Sequence, residues 1–179
     1  MSEILLNDEI KLCWKGPFSF KDLLTNERYK KDYKCSGVYL WEMASAEAPQ
    51  YIGKATGRPG LWLRQFHHYI SLIGGHYTVP PQFTNNGKEW ICDYEKNEVL
   101  EILFNEQKFK EVISYGFRYA AAIKIFLAKL SQEKVNIVER NLLHDLKPST
   151  TFWGTQTVPK ELVKIVHCET SCPTTIAGA

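Results

Sequence analysis

The spacing of apolar and polar residues along the chain predicts a mixed α and β protein. Residues 37–43 are apolar on both faces, which is typical of a central strand. Residues 50–55 follow a short polar segment and are predicted to be the returning strand of a hairpin. In the segment 61–73, apolar residues recur at helical spacing, and Gly74-Gly75 supplies a stop. The central part of the chain is therefore predicted to begin with two strands followed by a helix.

The second half of the chain predicts further helices and a third strand. Residues 98–113 are predicted to be an amphipathic helix. Residues 117–127 are predicted to be the third strand, although their alanine run is also compatible with a helix. A helix capped by Ser131 is predicted to run to Asp145. The shorter predictions are a turn at Gly16-Pro17, a helix capped by Ser19, a loop at 79–88, a strand at 90–94, strand or helix at 161–167, and a frayed tail from Glu169.

Composition indicates one globular domain. The chain has 179 residues, of which 44% are hydrophobic and 13% aromatic, which is enough to bury a core. No apolar run reaches the roughly 18–20 residues that a membrane span needs, and the N-terminus lacks the pattern of an export signal. We therefore expect no membrane partner and a cytoplasmic location with reduced thiols. Cys13, Cys35 and Cys92 are expected to be small buried hydrophobes.

The charge is nearly balanced overall but uneven along the chain. The 22 Lys and Arg residues exceed the 20 Asp and Glu residues by a net charge of +2. Residues 48–88 contain neither Asp nor Glu, and they include the cations Lys54, Arg58, Arg64 and Lys88 as well as three histidines. An acid-free basic window with aromatic residues suits a polyanion such as a nucleic-acid backbone. Chance clustering on a solvated surface is the alternative interpretation.

Separate motifs carry candidate chemistry. The sequences GVY at 37–39 and YIGK at 51–54 lie on the two predicted hairpin strands. Arg64 and His68 are one turn apart on the next helix, and Glu139 lies on the helix after the third strand. In this order, and on these types of element, the motifs resemble the GIY-YIG nuclease superfamily.

The resemblance implies a fold. It implies an α+β domain with a small central antiparallel or mixed three-stranded sheet flanked by helices. A single domain would span residues 1–179, with its core at about 36–150. The remaining parts would be an N-terminal arm at 1–35, an insertion at about 74–116 between the first core helix and the third strand, and a C-terminal extension at 151–179.

The resemblance also implies a metal-dependent phosphodiesterase that uses Mg²⁺ or Mn²⁺. The implied catalytic residues match the family motifs: Tyr39, Tyr51, Lys54, Arg64, His68 and Glu139. Glu139 would be the metal ligand. From the acid-free basic window, the expected nucleic-acid-binding residues are Lys54, Arg58, Arg64, His67 and Lys88. Two positions depart from the family pattern: Val38 replaces the usual Ile, and Thr151 stands where an Asn is common.

Elementary chemistry agrees with these roles. Phosphodiester hydrolysis requires neutralisation of the phosphate oxygens and a stabilised leaving group. The Glu139 carboxylate is a hard ligand suited to Mg²⁺, and the Arg64 guanidinium grips phosphate oxygens. A tyrosine has a pKa near about 10, and a neighbouring Lys54 and metal ion are expected to lower it enough to take a proton from water, so Tyr39 is the first general-base candidate. His68 is the other candidate, either as the base or as a group that orients Tyr39.

The sequence thus predicts a small endonuclease acting on double-stranded DNA. A type II restriction enzyme is the first expectation, and cutting both strands favours a homodimer. A structure-selective nuclease is the second. The rival from another class is a catalytically weak or inactive nucleic-acid-binding module that retains the fold. Each of these residues, considered alone, also fits an ordinary role in the core or on the surface, so the joint pattern carries the prediction.

Overall fold

The computed structural model describes residues 9–44, 47–77, 79, 83–84, 95–149, 159, 161–168 and 171–177. Within these ranges the chain forms, in order, β1 (Glu9–Leu12), β2 (Lys15–Phe18), α1 (Phe20–Thr25), α2 (Glu27–Asp32), β3 (Gly37–Glu42), β4 (Tyr51–Ala55), α3 (Gly60–Ile73), α4 (Lys96–Phe104), α5 (Glu106–Ala122), β5 (Lys124–Lys129), α6 (Gln132–Leu146), β6 (Lys164–His167) and α7 (Thr174–Ala177). The predicted α+β class is confirmed. Among the described residues, no helix has the length and apolar character to cross a membrane.

The chain divides into two compact units. Unit 1 consists of residues 1–64 and 124–179, and unit 2 consists of residues 65–123. The insertion predicted at 74–116 lies within unit 2. The predicted strand at 90–94, most of the predicted loop at 79–88, and Thr151 lie outside the described residues.

The main sheet of unit 1 has four strands, in the order β2-β5-β3-β4, and all neighbours are antiparallel. The prediction of three strands is therefore corrected by β2, which comes from the N-terminal arm. Gly16-Pro17, predicted to be a turn, lies inside β2. All six residues of β3 are buried, as its continuous apolar run predicts. Strand β4 lies at one edge of this sheet, and β2 lies at the other.

Two predicted element boundaries are wrong. The third strand begins at Lys124, because residues 117–122 continue helix α5. Alanine has the highest helix propensity of all residues, and Ala120–Ala122 extend the helix rather than start the strand. The helix predicted at 98–113 is broken at Asn105, whose side chain accepts a hydrogen bond from the backbone N–H of Lys108 and so begins α5.

Helices α3 and α6 confirm their predicted positions, although Ser131 at the N-cap position of α6 makes no capping hydrogen bond with its side chain. Helix α3 begins at Gly60, whose backbone has a φ of +64° and passes so close to Cys35 that a Cβ would lie 2.5 Å from the Cys35 nitrogen. Helix α6 packs its buried residues Val135, Val138 and Leu142 into the core that contains Val38 and Leu40 of β3. This packing places α6 on one face of the main sheet and fixes the direction of its remaining side chains.

The two ends of the described chain form a second, parallel sheet. Strand β1 pairs with β6, and Cys13 and Cys168, each directly after its strand, form a disulfide. The expectation of reduced thiols is corrected here, and the argument from cysteines for a cytoplasmic location no longer holds. Cys13 is also exposed rather than buried, Cys35 is a partly buried free thiol, and Cys92 lies outside the described residues.

Buried polar groups attach the C-terminal segment to the rest of unit 1. The buried Asn141 side chain donates to the Glu161 carbonyl and accepts from the Val163 N–H at 3.2 Å. The buried carboxylate of Glu42 accepts from the Thr175 N–H at 2.6 Å and from the Thr174 hydroxyl at 3.0 Å. The described part of the predicted frayed tail is therefore ordered by specific contacts.

Candidate active site

The hairpin register decides where the motif side chains point. Tyr39 pairs with Gly53, Trp41 pairs with Tyr51, and Val38 pairs with Lys54. Because successive residues of a strand face opposite sides of a sheet, Tyr39 and Tyr51 lie on one face. Lys54 lies on the other face, which α6 covers.

Tyr39 is completely buried against the edge strand. Its exposed fraction is 0%, and its ring stacks on that of Tyr51, with the ring centroids 5.9 Å apart. Gly53 leaves room for the Tyr39 hydroxyl, because a Cβ built on Gly53 would lie only 2.3 Å from Tyr39 Oη. The glycine of the YIGK motif therefore accommodates the tyrosine of the GVY motif.

Arg64 reaches the buried tyrosine from helix α3. Its Nε donates a long hydrogen bond of 3.4 Å to Tyr39 Oη, while the residue itself is exposed to solvent. The buried Tyr39 hydroxyl thus orients the exposed Arg64 guanidinium. A guanidinium held in this way is suited to grip phosphate oxygens.

The environment of Tyr39 raises the pKa of its hydroxyl well above 10. Burial is the main cause, because it disfavours the charged phenolate, and Tyr51 adds to the rise. The positive charge and hydrogen bond of Arg64 oppose the shift without reversing it. Tyr39 therefore keeps its proton at neutral pH, and the direction of this shift is opposite to the one that a general base requires.

Lys54 and Glu139 form the second pair. Lys54 Nζ lies 2.6 Å from Glu139 Oε2, and the side chains are 35% and 15% exposed. Glu139 occupies the side of α6 that faces β4, one residue after the core residue Val138. The ion pair thus joins strand β4, which carries the YIGK motif, to helix α6.

The donor set at Glu139 fits a magnesium ion of the kind that the family resemblance implies. A carboxylate has about four lone-pair sites, so the bond to Lys54 does not exhaust it. Mg²⁺ usually keeps several waters and takes one or two protein carboxylates. Among the described residues, no group of three or more His, Cys, Asp and Glu side chains is placed to hold a metal. Glu139 is the residue that would hold such an ion.

The two pairs are neighbours on the edge strand. The Tyr39 hydroxyl, which Arg64 contacts, lies over Gly53, and the next residue, Lys54, holds Glu139 on the opposite face. Four of the predicted residues of unit 1 therefore form two pairs, one on each face of β4. The sequence motifs predict one group of site residues and do not indicate that the two pairs lie on opposite faces of the sheet.

The other predicted site residues are placed as follows. Arg58 lies in an exposed turn after β4 in unit 1. In unit 2, His67 is exposed, whereas His68 is only 2% exposed, with its ring centroid 5.5 Å from that of Tyr77. Lys88 lies outside the described residues.

Sequence reasoning missed the role of Gly53. A glycine inside a strand is a signal for close approach by another group. That signal was present in YIGK, but the identity of the approaching group depends on the register of the hairpin, which the sequence does not specify.

Comparison of the chain with protein-family models, with curated proteins and with solved structures gives no match. The resemblance to GIY-YIG nucleases therefore depends on the motifs and on where they lie in the fold.

Proposed function

We propose that the protein is a metal-dependent phosphodiester hydrolase, an endonuclease that acts on double-stranded DNA. One observation carries the proposal: two cationic side chains, each bonded to a motif partner, lie on opposite faces of the edge strand β4 at the adjacent residues Gly53 and Lys54. Arg64 is held by Tyr39 on one face, and Lys54 is held by Glu139 on the other. Metal-dependent phosphodiester cleavage uses such a combination of positive charge and a hard carboxylate.

Each residue has a role in the proposed reaction. Arg64 binds non-bridging phosphate oxygens, since it is exposed and always charged. Tyr39 orients Arg64 and keeps its own proton, and Tyr51 supports the Tyr39 ring by stacking. Lys54 neutralises phosphate charge, since its side chain is partly exposed. Mg²⁺ or Mn²⁺ at Glu139 would supply Lewis-acid stabilisation and a more acidic water. His68, the other general-base candidate from the sequence, belongs to unit 2 and is only 2% exposed.

The basic window would bind the DNA backbone. Arg58 and Arg64 are exposed, and Lys54 is partly exposed, on the same strand-turn-helix segment of unit 1. His67 and Lys88 complete the set that the sequence assigns to DNA binding. Within the proposal, a type II restriction enzyme would act as a homodimer in the cytoplasm, whereas a structure-selective nuclease needs no second copy.

A second candidate is a DNA-binding module without catalysis. The burial and raised pKa of Tyr39 favour it, because they remove one of the two proposed bases. The occupation of Glu139 Oε2 by Lys54 favours it as well.

Plasmid nicking separates the two candidates. Purified full-length protein is incubated with supercoiled plasmid in Mg²⁺, Mn²⁺, Ca²⁺ or EDTA, and binding is followed in parallel by gel shift. The endonuclease nicks in Mg²⁺ or Mn²⁺ and not in EDTA. Binding without nicking under every condition would support the module instead, and absence of both binding and nicking would reject both candidates.

A further inference from the structure

Unit 1 contains a pocket at the sheet edge opposite to the candidate active site. The pocket has a volume of about 630 Å³ and lies between β2, α2 and the end of β5. Ligand pockets are typically about 300–1,000 Å³. Because β2 and β4 are the two edges of the main sheet, this pocket is separate from the Tyr39 and Lys54 pairs.

One side of the pocket is aromatic. The rings of Phe18, Tyr29 and Tyr33 contact one another, with centroid distances of 4.9 Å for Phe18 and Tyr29, 5.8 Å for Phe18 and Tyr33, and 6.2 Å for the two tyrosines. Phe18 and Tyr29 are only partly buried, so their rings are accessible in the pocket. Accessible, mutually fixed rings provide a platform on which a flat ligand ring can stack.

The pocket is also cationic. Lys15, Arg28 and Lys129 line it and are exposed, whereas Asp32 is the single acid among the lining residues that the structure describes. Asp32 pairs with Arg28 at 3.4 Å in an exposed position, where such a pair is weak. Lys129 Nζ lies 5.1 Å from the centroid of the Tyr33 ring. Positive charge is therefore held directly beside the aromatic platform.

We infer that this pocket binds a nucleotide through stacking of its base on the aromatic side and pairing of its phosphate with Lys15, Arg28 and Lys129. Phosphate alone would not contact the accessible rings, and an uncharged aromatic ligand would not pair with the three cations. The nucleotide can be a free mononucleotide or an unpaired nucleotide in a strand. The inference does not depend on the proposed nuclease activity.

Calorimetric titration of the full chain tests the inference. The probes are a purine mononucleotide, the matching nucleoside, inorganic phosphate and a short single-stranded oligonucleotide. We expect the mononucleotide to bind with a submillimolar Kd, and to bind more tightly than the nucleoside or phosphate. A mononucleotide that binds as well as the oligonucleotide identifies a free nucleotide as the ligand, whereas much tighter oligonucleotide binding identifies an unpaired nucleotide in a strand.

Two variants with matched controls locate the binding. Lys129→Ala should weaken mononucleotide binding about ten-fold, whereas Lys124→Ala, at the other exposed end of β5 and outside the pocket, should not change it. Tyr29→Leu should weaken binding about ten-fold, and Tyr29→Phe, which keeps the ring, should restore it. Circular dichroism checks that each variant is folded.

Other results would overturn the inference. Absence of binding at millimolar mononucleotide would remove the site. Phosphate binding equal to mononucleotide binding would leave only an anion site without base recognition. Equal losses in Lys129→Ala and Lys124→Ala would place the binding outside the pocket.

Discussion

Lys54 Nζ and Glu139 Oε2 lie 2.6 Å apart although 85 positions separate the two residues along the chain. The contact follows from packing rather than from local sequence. Helix α6 buries Val135, Val138 and Leu142 on the same face of the sheet from which Lys54 projects. This relationship connects the YIGK motif to the carboxylate that the nuclease interpretation needs, and it can be measured without any assay of activity.

The Lys54–Glu139 pair should show a measurable coupling energy. We expect a double-mutant cycle with Lys54→Met and Glu139→Gln to give about 1 kcal/mol of coupling in urea unfolding, since the pair is only partly exposed. The same cycle on Lys164 and Glu9, which lie 2.9 Å apart and are 64% and 57% exposed, should give nearly zero. Equal couplings for the two pairs would mean that partial burial does not strengthen the first.

Glu139→Gln should abolish DNA nicking and leave DNA binding nearly intact. The amide has the shape of the carboxylate but is a poor ligand for Mg²⁺. Glu133→Gln, on the exposed first turn of the same helix, is the control and should nick normally. Nicking is measured at saturating Mg²⁺ and binding in Ca²⁺. Normal nicking by the Glu139 variant would remove this residue from the site.

Tyr39→Phe should slow cleavage by roughly ten- to hundred-fold, because Arg64 loses its orienting oxygen. Tyr51→Phe should cost less, since its ring still stacks on Tyr39. If His68 is the general base, His68→Ala should have the lowest cleavage rate of the three variants. Single-turnover rates against pH at fixed Mg²⁺ provide the comparison.

The shape of the pH profile separates positioning from proton transfer. A positioning role for Tyr39 predicts that Tyr39→Phe lowers the rate at every pH without moving the profile. If Tyr39→Phe lost the pH-dependent limb of the rate profile and His68→Ala lowered the rate only slightly, Tyr39 would be identified as the general base.

Gly53→Ala should destabilise the protein by about 1–3 kcal/mol, which is typical of overpacking. The new Cβ would lie 2.3 Å from Tyr39 Oη and 2.5 Å from its Cζ, so the ring must move. Adding Tyr39→Phe should restore part of the loss, because it removes the closest atom. Urea unfolding of the single and double variants measures both effects. Additive losses would show that the methyl group does not meet the tyrosine.

Stability should fall as pH rises above about 10. Burial, followed by Tyr29, Asp32 and Cys35, raises the pKa of Tyr33 to about 12. Between these values the unfolded chain has lost the Tyr33 proton and the folded chain has kept it, so a rise in pH favours unfolding. We expect the drop in urea midpoint from pH 8 to pH 11 to be smaller in Tyr33→Phe than in wild type. An identical drop in both would assign the effect to other groups.

The sequence predicted the elements that local patterns determine. Strands β3 and β4 and helices α3 and α6 follow from apolar spacing and from the stop and cap residues at Gly74 and Ser131. The alanines at 120–122 were ambiguous because strand and helix patterns overlap there, and intrinsic propensity extended α5.

Contacts between distant segments were not predictable from local patterns. Strand β2 was missed because Gly16-Pro17 has the composition of a turn, and only pairing with β5 makes it a strand. The Cys13–Cys168 bond joins residues 155 positions apart, and spacing does not determine such connectivity. The opposite faces of Tyr39 and Lys54 depend on a hairpin register that the loop sequence leaves open.

The bond between Cys13 and Cys168 has a mechanical consequence. A tensile load applied to the chain before Cys13 and after Cys168 would pass from one sulfur to the other and bypass the polypeptide between them. The hairpin, the edge strand and both cationic pairs lie in this bypassed stretch. With the bond oxidised, the polypeptide between the two cysteines carries no part of that load, and only the contacts of Thr174 and Thr175 with Glu42 pass any of it to β3. After reduction the same pull would act on the pairing of β1 with β6.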